Sequence, residues 1–334
     1  MKRTTDDNQD KTLSRRDFLV RSARAGIAIA ATGGISYWLY DGKGPGRPAQ
    51  EEAGQVVLPD FSIPELQGKM SIVTGQDRVG AVNLALTALG GIETFIKKGD
   101  RVLVKVNAAF AVPAILSATT SPDLLAEVIR LCFRAGAASV VVTDNPINDP
   151  GSCFTLTGIA GAAESAGAKV ILPREPYFKP TTVPSAGLIR NWPLLYTPFE
   201  GVNKVIGMAP LKDHHRSGAS MTMKNWYGLL GGRRNIFHQD IHTIITELAL
   251  MVKPTMVILD ATTTMMTNGP TGGSLSDLKQ TNTMIVGTDQ VAVDAFGAGL
   301  LEKSIPDLPF LSKAEAAGAG TSDYAALNPI KTSL

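Results

Sequence analysis

Residues 203–242 read NKVIGMAPLKDHHRSGASMTMKNWYGLLGGRRNIFHQDIH, and this stretch sets both the fold and the place for chemistry. Its opening apolar run, 204–209, has the length and composition of a buried strand. Pro210 predicts a turn into a polar segment, and two helical patterns follow. All four histidines, His214, His215, His238 and His242, fall inside the stretch, with Lys212, Lys224, Asn225 and the pair Arg233/Arg234. Functional groups gather where strands of an α/β sheet run out at their carboxyl ends. The stretch is therefore read as the active or binding site.

Outward from it, one unit repeats. Residues 70–74 predict a strand, and Asp77 caps a helix over 78–89. Residues 101–107, RVLVKVN, predict a β-branched strand with Lys105 and Asn107 two apart, hence on one face. Ser121-Pro122-Asp123 predicts a helix start with Ser121 as N-cap, running to about Arg134. A strand over 139–144 ends at Asp144 and Asn145, followed by a helix over 156–166 and a strand over 169–172. The Pro-rich segment to Phe199 predicts a β-rich excursion or a lid. Downstream, 236–252 predicts an amphipathic helix with Phe237, Ile241, Ile244, Ile245, Leu248 and Val252 on one face. Residues 255–260 predict a strand ending at Asp260, 283–289 another strand, and 289–301 a helix. The tail from 305 holds a short helix and little else. This alternation predicts an α/β fold: a mostly parallel sheet with helices on both faces.

The 334 residues can bury a sizeable core in one large domain or two smaller ones. Apolar content of 44% and charged content of 19% are ordinary for a globular enzyme. Residues 1–24 hold seven Lys/Arg against four Asp/Glu while the whole chain is +2, so the remainder is one charge negative. No block of like charge points to nucleic acid. No Gly-x-Gly-x-x-Gly or Walker-type loop points to a dinucleotide or nucleotide site. Cys132 reads as core packing. Cys153 follows a Pro-Gly turn, its exposure is left open, and so is a disulfide between the two. Two cysteines cannot hold an iron–sulfur cluster by thiolates alone, so none is expected.

Ser14-Arg15-Arg16-Asp17-Phe18-Leu19 has the form of a twin-arginine export motif, and a moderately apolar segment follows over 25–40. Residues 1–40 are thus read as a twin-arginine signal and potential membrane anchor, left attached if uncleaved. Residues 41–68 are read as a Gly-, Pro- and Glu-rich linker, and 69–325 as the α/β domain. The expected location is periplasmic or otherwise extracytoplasmic, with the twin-arginine translocase as a partner.

Four strands end in polar groups: Lys105/Asn107, Asp144/Asn145, Lys212/His214 and Asp260. In a parallel sheet such ends share one edge and are expected to gather in one cleft. Lys212 and His214 are the candidate catalytic pair, His214 serving as acid/base. Lys105, Asn107, Lys224, Asn225 and Arg233 are candidate ligand-binding residues, suited to an anion. Asp144, Asp260 and His238 are candidate metal ligands. His238 and His242, four apart on a helix, have a spacing that chelates zinc or nickel.

Several of these motifs occur together in one known family. Lys105-Val-Asn107, Thr143-Asp144-Asn145, Pro210-Leu-Lys212-Asp-His214, Met223-Lys224-Asn225-Trp-Tyr-Gly228, Gly232-Arg233 and His238 resemble the motifs of the domain-of-unknown-function 362 family. So do Asp260 with Gly269-Pro270, and Gly287-Thr-Asp289 with Val293-Asp294. The resemblance runs from about Lys69 to Asp323 and implies no settled reaction. Family members with added ferredoxin-like cysteine clusters differ from this chain, which lacks them. A shorter similarity, Gly99-Asp-Arg-Val-Leu-Val followed by Thr120-Ser-Pro, resembles the N-terminal domain of the nickel-dependent lactate racemase family and carries no function over.

The sequence thus predicts an exported enzyme or cofactor-handling protein for a small anionic ligand, its reaction open and a divalent metal allowed for. The alternative is a non-catalytic protein that binds a metal or an anionic cofactor. For the leader, Arg15→Lys with Arg16→Lys is expected to leave folded protein in the cytoplasm. Unchanged delivery in a strain without the twin-arginine translocase would overturn that reading.

Overall fold

The computed structural model describes residues 54–334, together with leader residues 15–16, 18–20 and 22–26, which are helical. Most of the expected apolar leader segment and of the linker before residue 54 lies outside the described residues. Among the described residues, no helix is long and apolar enough to cross a membrane.

The folded unit runs β1 (Met70–Thr74), α1 (Arg78–Ala88), β2 (Arg101–Lys105), α2 (Pro122–Arg134), β3 (Ser139–Thr143), α3 (Pro150–Leu156), α4 (Ile159–Ser165) and β4 (Lys169–Val170). It continues with β5 (Phe178–Thr181), β6 (Trp192–Leu195), β7 (Lys204–His214), β8 (Gly218–Ser220), α5 (Thr222–Asn225) and α6 (Ile241–Met251). Last come β9 (Met256–Met265), β10 (Leu278–Gly287), α7 (Gln290–Leu300), α8 (Pro309–Ala316) and β11 (Ile330–Ser333).

Nine strands form one mixed sheet in the order β11-β1-β10-β9-β7-β2-β3-β4, with β8 paired to β7. The run β9-β7-β2-β3-β4 is parallel. The period-two alternation of its strands divides the core. Val102, Val104, Val142, Ile206 and Ile258 face α1, α2 and α4. Leu103, Val205, Val257, Leu259 and Ile285 face the opposite side, with α6, α7 and α8. Apolar helices therefore cover both faces, as the sequence predicts. Asp77 and Asp289 each accept backbone N–H bonds at the starts of α1 and α7. Pro122 opens α2, but the Ser121 hydroxyl makes no capping bond.

The structure revises several boundaries. β7 does not turn at Pro210 but runs on to His214. Pro210 lies beyond the last β2 partner, Gly207, at a register shift against β9, where a residue without an N–H is tolerated. β9 likewise passes through Asp260 to Met265, because β10 returns antiparallel beside it. Asp260 is consequently mid-strand rather than at a strand end.

The helix expected over 236–252 starts only at Ile241, and residues Arg234–Asp240 form a tighter 3-10 segment before it. Residues 54–68 pack on the fold instead of acting as a linker: Leu58 and Phe61 are buried, and the Phe61 carbonyl accepts from Thr255 Oγ1 at 2.8 Å. The tail contributes α8 and the edge strand β11, so the unit extends past residue 325. Cys153 is buried in α3, and both cysteines are free thiols.

The Pro-rich excursion is the antiparallel hairpin β5–β6 and its connecting loop. Buried Glu247 on α6 fastens that loop. Its carboxylate accepts N–H bonds from Gly187 (2.7 Å), Leu188 (2.9 Å) and Ile189 (2.7 Å). Glu247→Ala leaves these donors without their acceptor and is expected to destabilise the protein by roughly 3 kcal/mol. Urea unfolding measures the loss, and hydrogen exchange should show reduced protection confined first to 183–190.

Candidate functional site

A cavity of about 270 Å³ opens where β2 and β3 end and β7 runs on past them. Its floor is an ion pair. Lys105, the last residue of β2, meets Asp144, just beyond the end of β3, at 2.8 Å, with the side chains 1% and 2% exposed. Parallel register places Lys105 opposite Thr143, so the two side chains reach each other across neighbouring strand ends. All three ammonium protons of Lys105 are used, on Asp144, Asn225 Oδ1 (2.9 Å) and the Val106 carbonyl (2.8 Å). Asp144 accepts in addition from the N–H groups of Ala108 (2.7 Å) and Asn145 (2.9 Å). Burial pulls the Lys105 pKa down, and the Asp144 charge opposes that pull. Gly228 closes over the pair. A Cβ there would stand 1.9 Å from Asp144 Oδ1, so only glycine fits.

α5 carries Lys224 and Asn225 into the cavity. This short helix is held by Asp294 of α7, which accepts from Thr222 N (2.8 Å), Thr222 Oγ1 (2.6 Å) and Met223 N (3.0 Å). Full burial nonetheless raises the Asp294 pKa to about 7. Asn225 donates to the Met208 carbonyl (2.9 Å) and accepts from Asn107 Nδ2 (3.2 Å). Asn107 Oδ1 is buried in the wall without a partner among the described residues.

Lys212 donates to the Ala118 carbonyl and lies 5.1 Å from the centre of the Phe110 ring. Its pKa falls to about 7, first through burial and then through the Lys224 charge. Lys224 also falls to about 7, through burial and then the charges of Arg234 and Lys105. Arg234 enters the cavity from the 3-10 segment. Its guanidinium donates to the carbonyls of Tyr227 (3.1 Å), Leu230 (3.0 Å), Asn145 (2.7 Å) and Pro146 (3.0 Å).

Arg233, the arginine singled out from the sequence, is exposed and does not line the cavity. Gly232 at φ +58° turns the chain, so that the second arginine of the pair points inward and the first outward. Among the described residues, four cationic side chains therefore line the cavity against the one carboxylate of Asp144.

The hydrogen-bond network assigns the imidazole tautomers. His214 Nδ1 accepts from the N–H groups of Arg216 and Ser217, both at 3.2 Å, so its proton sits on Nε2. Burial, then the Lys224 charge, drives its pKa down to about 2, and the ring is neutral. The His214 ring stacks with His215 at 5.0 Å and with His238 at 5.9 Å. Tyr227 Oη donates to the Arg234 carbonyl, which leaves it to accept from His238 Nδ1 at 3.1 Å. His215 Nδ1 donates to the Gly269 carbonyl at 3.3 Å.

The structure thus brings together Lys105, Asn107, Asp144, Lys212, His214, Lys224, Asn225 and His238. It does not bring Asp260. That carboxylate bonds Arg78 Nε (2.9 Å) and Thr262 N (2.9 Å) and lines a separate depression with Thr119 and Pro210. His242 also stands apart, stacked on Phe310, because the 3-10 turn before α6 breaks the helical spacing from His238.

The donor set expected for a metal therefore does not fit one. Asp144 and Asp260 are engaged in different places, and His238 spends Nδ1 on Tyr227. Among the described residues, no group of three or more His, Cys, Asp or Glu side chains is placed to hold a metal ion. Tyr227 and Phe110 line the site without having been singled out for it, whereas Arg234 is read from the sequence as one of an arginine pair suited to an anion. The sequence does not show which arginine of the pair enters the cavity.

The family model for a domain of unknown function, DUF362, matches residues 102–299, which include every residue that lines the cavity. The chain belongs to the DUF362 family. It is 23% identical over 252 residues to a thylakoid-associated protein of Synechocystis sp., covering 72% of this chain and 75% of that protein. Among solved structures it is similar to the lactate racemase apoprotein of Thermoanaerobacterium thermosaccharolyticum, at 11% identity and a TM-score of 0.39. That match covers 73% of this chain, which spans 58% of the racemase chain.

Removing one partner from the floor pair leaves a buried charge uncompensated. Asp144→Asn is expected to destabilise the protein by about 3 kcal/mol. Urea denaturation at neutral pH checks it, and a loss below 1 kcal/mol would show that the pair does not hold the floor together.

Proposed function

We propose that this DUF362 chain is an exported protein whose cavity takes a small organic anion and acts on it chemically. The observation that carries the reading is the imbalance of charge. Lys212, Lys224 and Arg234 line a cavity whose one carboxylate is already consumed by Lys105. Buried like charges repel, and an anion in their midst relieves that repulsion. The ligand would be held by Lys212 and Lys224, within the field of Arg234. His214, neutral and protonated on Nε2, would donate a hydrogen bond to an oxygen of the ligand. The acid/base work assigned to His214 from sequence passes to Lys212, because two backbone N–H groups occupy His214 Nδ1. A lysine with a pKa near neutrality exchanges protons readily at physiological pH.

The export half of the proposal rests on the twin-arginine pattern of the leader. The thylakoid association named for the Synechocystis relative supports a location outside the cytoplasm or at a membrane.

Calorimetric titration with small carboxylates and inorganic phosphate tests the site. Lys212→Met or Lys224→Met is expected to lower anion affinity at least tenfold, while Arg233→Met leaves it unchanged. Both lysines are charged below about pH 7, so affinity should be greatest there and fall as pH rises through and above that value. Affinity that climbs with pH, or survives both lysine substitutions, would refute the reading.

A further inference from the structure

The four cations of the cavity differ in what they still have to offer. Lys105 has used all three of its protons. Arg234 is clamped by four carbonyls and supplies charge without free reach. Lys212 is tied to the Ala118 carbonyl. Lys224 alone finds no protein acceptor among the described residues, and its amine stands 5.3 Å from the centre of the Tyr227 ring. It sits on a helix that Asp294 anchors with three bonds, so the amine is presented from a fixed base.

We propose that Lys224 is a nucleophile that forms an imine with the carbonyl carbon of a small 2-oxo acid bound in this cavity. The inference rests on the anion-site reading and adds the substrate class and the bond formed. A 2-oxo acid presents a carboxylate for Lys212 and the field of Arg234, and beside it a carbonyl for Lys224. His214 Nε2–H is the fixed donor available to polarise the carbonyl oxygen. Burial and the charges of Arg234 and Lys105 hold the Lys224 pKa near 7, so much of it is free amine at neutral pH.

In the step, the Lys224 nitrogen attacks the carbonyl carbon and a C–N bond forms. The carbonyl oxygen gains a proton and becomes the hydroxyl of a carbinolamine. The C–O bond then breaks, and the oxygen leaves as water with the two protons that the amine nitrogen gave up, relayed through Lys212. Nothing is oxidised or reduced. The product is an imine between the enzyme and the 2-oxo acid, which makes the adjacent carbon acidic.

Trapping decides the matter. The full chain is incubated with pyruvate and reduced with sodium borohydride, then analysed by intact mass and peptide mapping. A single adduct at Lys224 is expected, suppressed when a non-carbonyl carboxylate such as lactate competes. Lys224→Arg keeps the charge and should still bind pyruvate by calorimetry while giving no adduct. Lys212→Met should slow trapping at least tenfold.

Binding of pyruvate without an adduct, or an adduct that persists in Lys224→Arg, overturns the imine and leaves the anion site standing. No binding of any carboxylate or phosphate overturns both. If Lys224→Arg fails to fold, the position of the adduct on the unaltered protein decides alone, and an adduct mapped elsewhere counts against the proposal.

Discussion

The ion pair between Lys105 and Asp144 is the point on which the floor of the cavity is built. It joins the ends of two adjacent parallel strands, and its surplus valences reach Asn225 on α5 and the backbone of Ala108 and Asn145. Gly228 has no side chain because the pair occupies the space one would fill. Burying two charges this deeply carries a desolvation penalty that their mutual attraction offsets only when the remaining donors and acceptors are satisfied. Here they are. The pair spends the Asp144 carboxylate on Lys105, so the cavity lining keeps an excess of positive charge.

Two of the cavity's cations are kept in place by polar groups that carry no net charge. Four backbone carbonyls grip Arg234, and another accepts from Lys212. Carbonyl dipoles fix the position of a cation without neutralising it, so the repulsion among Lys212, Lys224 and Arg234 survives in the folded protein. The depressed lysine pKa values express burial first and that repulsion second. Each lysine binds fewer protons when folded than when unfolded between about pH 7 and its ordinary value. The linkage sign follows: stability of the ligand-free protein rises with pH across that window. The same field, with burial, keeps His214 neutral and makes it a donor of fixed direction.

The sheet explains why one expected member of the site is absent. Strands β2 and β3 stop at a common edge, whereas β7 runs on to His214 and β9 is prolonged by its antiparallel partner β10. A strand that gains a partner on its far side has no reason to end, and Asp260 is carried into the pairing and to Arg78. The hairpin β5–β6 contributes from outside. Its Pro193 and Trp192 bond Gly231, just before the turn that swings Arg234 inward, and Glu247 fastens the loop between its strands.

By itself the sequence determined the alternation of strand and helix, the two-faced sheet and the segment that supplies most of the cavity lining. These properties are local: β-branched runs, caps at Asp77 and Asp289, and the clustering of histidines and lysines can all be read within a window of a few residues. The lysines at 105, 212 and 224 were legible for the same reason, since buried strand ends and short helices seldom carry charge without use. Tertiary structure alone decided the rest. Whether Pro210 and Asp260 end a strand depends on which neighbours pair beside them, and those neighbours are distant in sequence. Which arginine of the 233/234 pair enters the cavity depends on the φ of Gly232 and the carbonyls waiting on the other side. Whether His238 and His242 share a face depends on a 3-10 turn imposed by packing. Which lysine keeps a free amine is a matter of how many acceptors the folded chain places around each one, and no window of sequence contains that count.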